Sequence, residues 1–69
     1  MAVSARNQLK GVVLTLVKDN VMAEVSVDVG GGNTIVAVIT RQSAETLHLK
    51  PGDAVTAVIK ATEVMVAKE

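Results

Sequence analysis

The sequence predicts an all-β fold with one short helix. Hydrophobic residues make up 49% of the 69 positions, yet Phe, Tyr and Trp are absent, so the core must be built from Val, Ile, Leu, Ala and Met. Among these, the β-branched Val and Ile favour strands. Apolar residues also alternate with a period of two over several stretches, and short segments rich in Gly, Asn, Asp or Pro separate those stretches. Together these observations predict five strands and one helix in the order β-β-β-α-β-β.

Three of the predicted strands lie in the N-terminal half. The first covers residues 7–18 and is apolar on both faces near its centre. The turn "DN" at 19–20 leads into a second strand at 21–29, where alternating valines indicate one buried and one solvated face. The segment "GGGN" at 30–33 predicts a hairpin connection. The third strand, at 34–40, is apolar on both faces, so we expect one of them to lie in a subunit interface.

A short helix is predicted after the third strand. The segment "RQSAETLHL" at 41–49 breaks the alternation and contains good helix formers, and Thr40 is a suitable N-cap. About two turns are expected, because "KPGD" at 50–53 cannot continue a helix. His48 falls near the helix end and is expected to be a surface residue. The pattern assigns it no role.

Two further strands are predicted at 54–60 and 62–68, joined at a polar corner formed by Lys60, Ala61 and Thr62. Five short strands with one helix between the third and fourth is the order of a small OB-like barrel. We therefore predict a five-stranded OB-like barrel that occupies residues 1–69 as a single domain.

The chain is short for an independent fold. A domain of this size buries only about 60% of the surface that its unfolded chain exposes. Cysteine is absent and there is one histidine, which removes disulfides and the usual zinc sites as sources of stability. Self-association remains, so the protein is predicted to be a homo-oligomer.

Charge and composition exclude several classes of function. Lys plus Arg equals Asp plus Glu at 7 each, and there are no aromatic side chains, which argues against an OB-type nucleic-acid groove. No arrangement of nucleophile, acid and base is visible, so an enzyme is not expected. No stretch approaches the roughly 20 apolar residues that span a bilayer, and the start does not resemble a signal peptide. These features predict a soluble, cytoplasmic protein that binds neither membranes nor nucleic acid.

Two polar segments stand out against the apolar sequence. Each places a cation among small residues: Ser4, Ala5, Arg6 and Asn7 at the start, and Lys60, Ala61 and Thr62 near the end. Guanidinium, ammonium, hydroxyl and accessible backbone N–H groups are all hydrogen-bond donors. Such a set suits a small oxyanion. Two other interpretations stay open, since Arg6 could pair with a carboxylate across a subunit contact and Lys60 could be solvated.

The motifs "SARNQLKG" and "VIKATEVMVA" resemble those of the molbindins, the Mop family of single-domain molybdate- and tungstate-binding proteins. The resemblance covers essentially the whole chain. It implies intracellular storage or buffering of the oxyanion at the subunit interfaces of a homohexamer, a trimer of dimers. Molybdate or tungstate would be a bound ligand rather than a catalytic cofactor, with no protein atom ligating the metal directly.

The resemblance also implies a binding site. One subunit would contribute Ser4, Ala5 and Arg6, together with Asn7, which lies in the same motif and could instead be structural. Another subunit would contribute Lys60, Ala61 and Thr62. Many relatives have Ser where this chain has Ala61, so only the backbone N–H is expected to take part there.

Two alternatives belong to other classes. The stretch "LKPGDAVTAVI" is similar to strands of small homodimeric, swapped-hairpin DNA-binding regulators, although the balanced charge argues against a DNA-binding face. The chain could also form a purely structural oligomer, in which the polar segments make ion pairs between subunits.

Overall fold

The computed structural model describes residues 2–69 and consists of one antiparallel sheet, one helix and one short 3₁₀ turn. The four strands lie in the spatial order β3-β2-β1-β4. In chain order the elements are β1 (Asn7–Lys18), β2 (Met22–Gly30), β3 (Asn33–Thr40), α1 (Arg41–Thr46), β4 (Ala54–Ile59) and the 3₁₀ turn (Ala61–Glu63). The first four predicted strands and the helix are thus confirmed, with the helix shorter than expected.

Strand β1 is the longest element and holds the sheet together. It pairs with β2 from Val12 onward, and a bulge interrupts that register between Val13 and Thr15. On its other side it pairs with β4, with Asn7 opposite Ile59 and Val12 opposite Ala54. Because the two strands are antiparallel, the chain enters β1 and leaves β4 at the same end of the sheet.

The helix α1 begins at Arg41 and ends at Thr46. Thr40 is the N-cap, as predicted, and its hydroxyl oxygen accepts a hydrogen bond from the Ser43 backbone N–H at 3.0 Å. His48 has a positive φ of 53° and its backbone N–H donates to the Glu45 carbonyl at 3.0 Å. This left-handed residue stops the helix after fewer turns than the helix-forming composition suggested.

The core of the monomer is small. Val13, Val25 and Val27 are buried, and Ala44 of α1 is also buried. Half-buried side chains pack around the three valines, namely Leu16, Val29, Ile39, Leu49 and Val55. Only one face of the sheet is therefore covered within the chain.

The opposite face of the sheet is exposed, and it presents valines of β1 and β3 on either side of polar residues of β2. We call it the outer face; it includes Val12, Val17, Val36 and Val38, whose exposed fractions range from 44% to 64%. Strand β3 illustrates the contrast, because Ile35, Ala37 and Ile39 are half-buried while its two outward valines are exposed. The expectation that both faces of this strand are apolar is confirmed, but this chain covers only one of them.

The predicted five-stranded barrel is wrong. The sheet has four strands and is open, with β3 and β4 as its edges. Within residues 2–69, the segment 64–69 belongs to no strand, and Met65 and Val66 are each 93% exposed. The apolar run at 64–67 is compatible with a strand, but a strand also needs a hydrogen-bonded neighbour. The 3₁₀ turn after Lys60 does not return the chain to the β4 edge.

Among the helices of residues 2–69, none combines the length and the apolar character needed to span a bilayer.

Candidate functional site

Six of the seven predicted site residues line a single depression of about 240 Å³ at the end of the sheet where β1 begins and β4 ends. We call it the corner pocket; its lining residues are Ser4, Ala5, Arg6, Lys60, Ala61 and Thr62. The seventh, Asn7, is not part of this lining. It is the first residue of β1 and pairs with Ile59.

The pairing of β1 with β4 explains why the two polar segments meet. Asn7 lies opposite Ile59, so the residues just before β1 and just after β4 leave the sheet side by side. The resemblance implied that Lys60, Ala61 and Thr62 would come from a neighbouring subunit. In the structure they line the same pocket as Arg6 within one chain. The two segments are far apart in sequence and lie close together because β1 pairs with β4 in this register.

The lining of the corner pocket includes two cationic side chains, Arg6 and Lys60, and no carboxylate. Elsewhere in the described chain, Arg41 Nε is 2.8 Å from Glu45 Oε1 and Lys50 Nζ is 3.3 Å from Asp53 Oδ1. Neither Arg6 nor Lys60 forms such an ion pair within residues 2–69. Two positive charges therefore face an open depression without an internal counter-charge.

The pocket lining is rich in hydrogen-bond donors. Arg6 offers five N–H groups and Lys60 three, and the hydroxyls of Ser4 and Thr62 can donate as well. Ala5 is half-buried and the other five lining residues are exposed. This arrangement can bind a small anion by charge-assisted hydrogen bonds. The described residues hold no cluster of three or more His, Cys, Asp or Glu side chains that could ligate a metal ion.

The 3₁₀ turn shapes one side of the pocket. The Glu63 backbone N–H donates to the Lys60 carbonyl at 2.9 Å, so the chain turns directly after β4. This contact holds the backbone of the second polar segment in a bent form.

Sequence reasoning missed Gln8. Its side-chain Nε2 donates to the Ala5 carbonyl oxygen at 2.8 Å, which links the first strand to the segment that lines the pocket. The available signal was an amide side chain three residues after Ala5, a spacing at which polar side chains often bond to nearby backbone.

Larger surface depressions have different chemistry. One of about 500 Å³ lies beside the start of β4 and is lined largely by apolar side chains together with the Asp53 carboxylate. Another follows the outer face around Val17, Met22 and Val38 and includes Glu24. A carboxylate in each of these two linings disfavours an anion. A third depression, of about 380 Å³ along α1, has neither a carboxylate nor a cation in its lining, so the corner pocket remains the best candidate site for an anion.

Comparison with known proteins identifies the family of this chain. The model of the TOBE domain family matches residues 3–66. Molybdenum-pterin-binding protein 1 of Clostridium pasteurianum is 50% identical over 66 residues, which cover 96% of this chain and 97% of that protein. The chain belongs to the molybdenum-pterin-binding (Mop) family and carries a TOBE domain.

Solved structures of Mop-family proteins have the same fold. MopII from Clostridium pasteurianum superposes with a TM-score of 0.91 at 48% identity, over 97% of this chain and 100% of that chain. A molybdate-binding protein from Sporomusa ovata also has a TM-score of 0.91, at 47% identity, over 99% of this chain and 100% of that chain. The resemblance to the Mop family that the two motifs indicated is confirmed.

Proposed function

We propose that this chain binds molybdate or tungstate as a free oxyanion in the corner pocket and stores or buffers it in the cytoplasm without catalysis. The observation that carries the proposal is that the cationic side chains of Arg6 and Lys60 line the same pocket. That lining is rich in hydrogen-bond donors and includes no carboxylate. The Sporomusa ovata relative of the same fold is a molybdate-binding protein, which supports this class of ligand.

Charge balance supports a dianion. Arg6 and Lys60 together offset two negative charges, which matches a tetrahedral molybdate or tungstate ion. Desolvating such an ion is costly unless cations and hydrogen bonds replace its water. Phosphate carries a proton near neutral pH, and the guanidinium and ammonium groups of the lining cannot accept a hydrogen bond from it, which leaves only the two hydroxyls as side-chain acceptors.

A free oxyanion fits better than a metal bound to pterin, although relatives carry the name molybdenum-pterin-binding protein. A pterin ring is flat and aromatic, and aromatic side chains are the usual platforms for stacking such rings. This chain has no Phe, Tyr or Trp. The six pocket residues offer donors to an anion rather than a surface for a ring.

We further propose that the protein assembles as a homohexamer, a trimer of dimers, and that a second copy closes the corner pocket over the anion. Five of the six lining residues are exposed in the monomer, so the ligand would stay in contact with water without a cover. The valines of the exposed outer face and the unpaired apolar run 64–67 provide surface that self-association can bury.

Titration calorimetry with molybdate and with tungstate tests the proposed ligand. Wild-type protein is expected to bind both saturably, and Arg6→Ala and Lys60→Ala are each expected to weaken binding roughly 10- to 100-fold, because a hydrogen bond to a charged group contributes about 1.5–3 kcal/mol. Lys10→Ala is the matched control. Lys10 is an exposed cation on β1, opposite Thr56 and outside the pocket lining, so its removal should change the affinity little.

Wild-type affinity in both pocket variants would contradict the site, and no binding by the wild type would contradict the function. Native mass measurement distinguishes the assemblies, since a hexamer is expected. A dimer that retards DNA in a gel would instead support the alternative of a swapped-hairpin DNA-binding regulator. An oligomer whose melting temperature does not respond to molybdate would support a purely structural role.

A further inference from the structure

We propose that Gln8 is a positioning residue for the corner pocket: by holding the Ala5 carbonyl, it orients the backbone N–H of Arg6 as a donor to the bound anion. This inference rests on the proposed function and assigns part of the ligand's recognition to a residue that does not line the pocket.

The first observation is the Gln8 hydrogen bond itself. Gln8 Nε2 donates to the Ala5 carbonyl oxygen at 2.8 Å. Across residues 2–69, no other side-chain hydrogen bond involves a residue of the pocket lining. Within residues 2–69, this is therefore the one side-chain hydrogen bond that restrains the part of the N-terminal polar segment in the pocket lining.

The second observation is where the strand ladder stops. Gln8 is anchored in β1, opposite Val58 of β4, and the register begins one residue earlier at Asn7. Ser4, Ala5 and Arg6 lie beyond it and have no partner in the ladder. Through its side chain, Gln8 thus connects the hydrogen-bonded part of β1 to the preceding segment, which has no partner strand.

The geometry of the peptide bond connects the carbonyl to the donor. The Ala5 C=O and the Arg6 N–H belong to one peptide unit, which is planar and trans, since residues 2–69 contain no cis peptide bond. The two groups of a trans unit point in opposite directions. When Gln8 fixes the Ala5 carbonyl, it also fixes the direction of the Arg6 N–H, which faces away from Gln8.

The contact should matter for binding more than for folding. The hydrogen bond is exposed, so water replaces it at little cost when it is lost. A ligand that needs the Arg6 N–H must then order the peptide itself, and that ordering reduces its affinity. Affinity and stability should therefore respond differently to substitution of Gln8.

The test compares Gln8→Met with Gln42→Met. Both changes remove an exposed amide and keep the side-chain length, but Gln42 lies on α1, away from the corner pocket. Gln8→Met is expected to weaken molybdate binding about three- to tenfold in calorimetry, with an unchanged native mass and an unchanged melting temperature of the ligand-free protein. Gln42→Met should leave the affinity unchanged. In ¹⁵N-resolved NMR, the shift of the Arg6 amide on adding molybdate should be reduced in Gln8→Met.

Gln8→Lys provides the rescue, because its ammonium restores a donor of similar reach. The comparison with wild type is made at high salt, where the Debye length falls to about 3 Å at 1 M and the added charge is screened. Recovered affinity relative to wild type supports the role of Gln8. Failure of the rescue contradicts it.

The inference is overturned if Gln8→Met binds molybdate as tightly as wild type, or if its ligand-free melting temperature falls in parallel with its affinity. A wild-type protein that does not bind molybdate would defeat the proposed function instead, so the two failures are distinguishable.

Discussion

At the scale of single residues, Asp19 shows how one carboxylate shapes a turn. Its Oδ1 accepts hydrogen bonds from the backbone N–H groups of Met22 and Val21, at 2.7 and 2.8 Å. These bonds, with the Met22 bond the stronger influence, hold the pKa of the Asp19 carboxyl below its ordinary value. The tight "DN" turn predicted between β1 and β2 therefore has a titratable group at its centre.

Substitution of Asp19 is expected to change how stability depends on pH. A carboxyl with a lowered pKa in the folded state stabilises the fold at pH values above its ordinary pKa, and that contribution is lost as the pH falls through the lowered value. Asp19→Ala should therefore be less stable than wild type near pH 7, and the difference should shrink below about pH 4. Urea unfolding at a fixed protein concentration measures both values.

Asp19→Asn is the matched control for this prediction. Its side-chain oxygen can still accept the two backbone hydrogen bonds, but it does not titrate. It should retain more stability than Asp19→Ala at neutral pH and show a flatter acid limb than wild type. A wild-type pH profile in Asp19→Asn would show that the carboxylate charge has no part in the stability of the turn.

At the scale of elements, β1 is the strand on which the corner pocket depends. It pairs with β2 on one side and β4 on the other, and its pairing with β4 brings the two polar segments together. Gly11 lies in the middle of this strand, and a Cβ at this position would collide with the Asp28 carbonyl oxygen and lie 2.7 Å from Val27 Cγ1. The close approach of β1 to β2 requires the absence of a side chain there.

Gly11→Ala should consequently destabilise the protein by about 1–3 kcal/mol, the usual cost of overpacking. The backbone carbonyl of Asp28 cannot move aside as a flexible side chain would. Chemical denaturation gives the free energy of unfolding. Lys10→Ala, one position earlier on the exposed side of the strand, should stay within about 0.5 kcal/mol of wild type. Equal stability of the two variants would mean that the strands separate freely at Gly11.

At the scale of the whole molecule, the monomer has few buried residues and many exposed hydrophobic side chains. The outer face has no cover within the described chain, and Met65 and Val66 are each 93% exposed. Large exposed apolar patches typically mark sites of association, and a second copy of the same chain is the partner that we propose.

Val38→Lys should lower the native mass below that of the hexamer, which is six times the chain mass of 7.1 kDa. Val38 lies on the outer face of β3 and is 62% exposed, so the monomer accommodates a lysine, while a packed interface would have to bury its charge. Native mass spectrometry and light scattering report the assembly. Val21→Lys is the control, since Val21 is 67% exposed in the turn before β2. A full hexamer in Val38→Lys would exclude this face from the interface.

Local signals in the sequence determined much of the fold. The alternating valines of β2, the cap at Thr40 and the glycine run 30–32, whose residues all have positive φ, each depend on near neighbours in the chain. Their structural consequences were predictable for that reason. The composition of the polar segments likewise predicted a donor-rich site, because the chemistry of Arg6 and Lys60 does not depend on the fold.

Only the tertiary structure decided which of these pieces meet. Register and strand order are properties of pairs of distant segments, and alternation alone does not specify a partner. The segment 62–68 therefore looked like a fifth strand, although no edge of the described sheet pairs with it. The same reason explains the corner pocket. Arg6 and Lys60 are far apart in the chain and share one pocket because Asn7 pairs with Ile59.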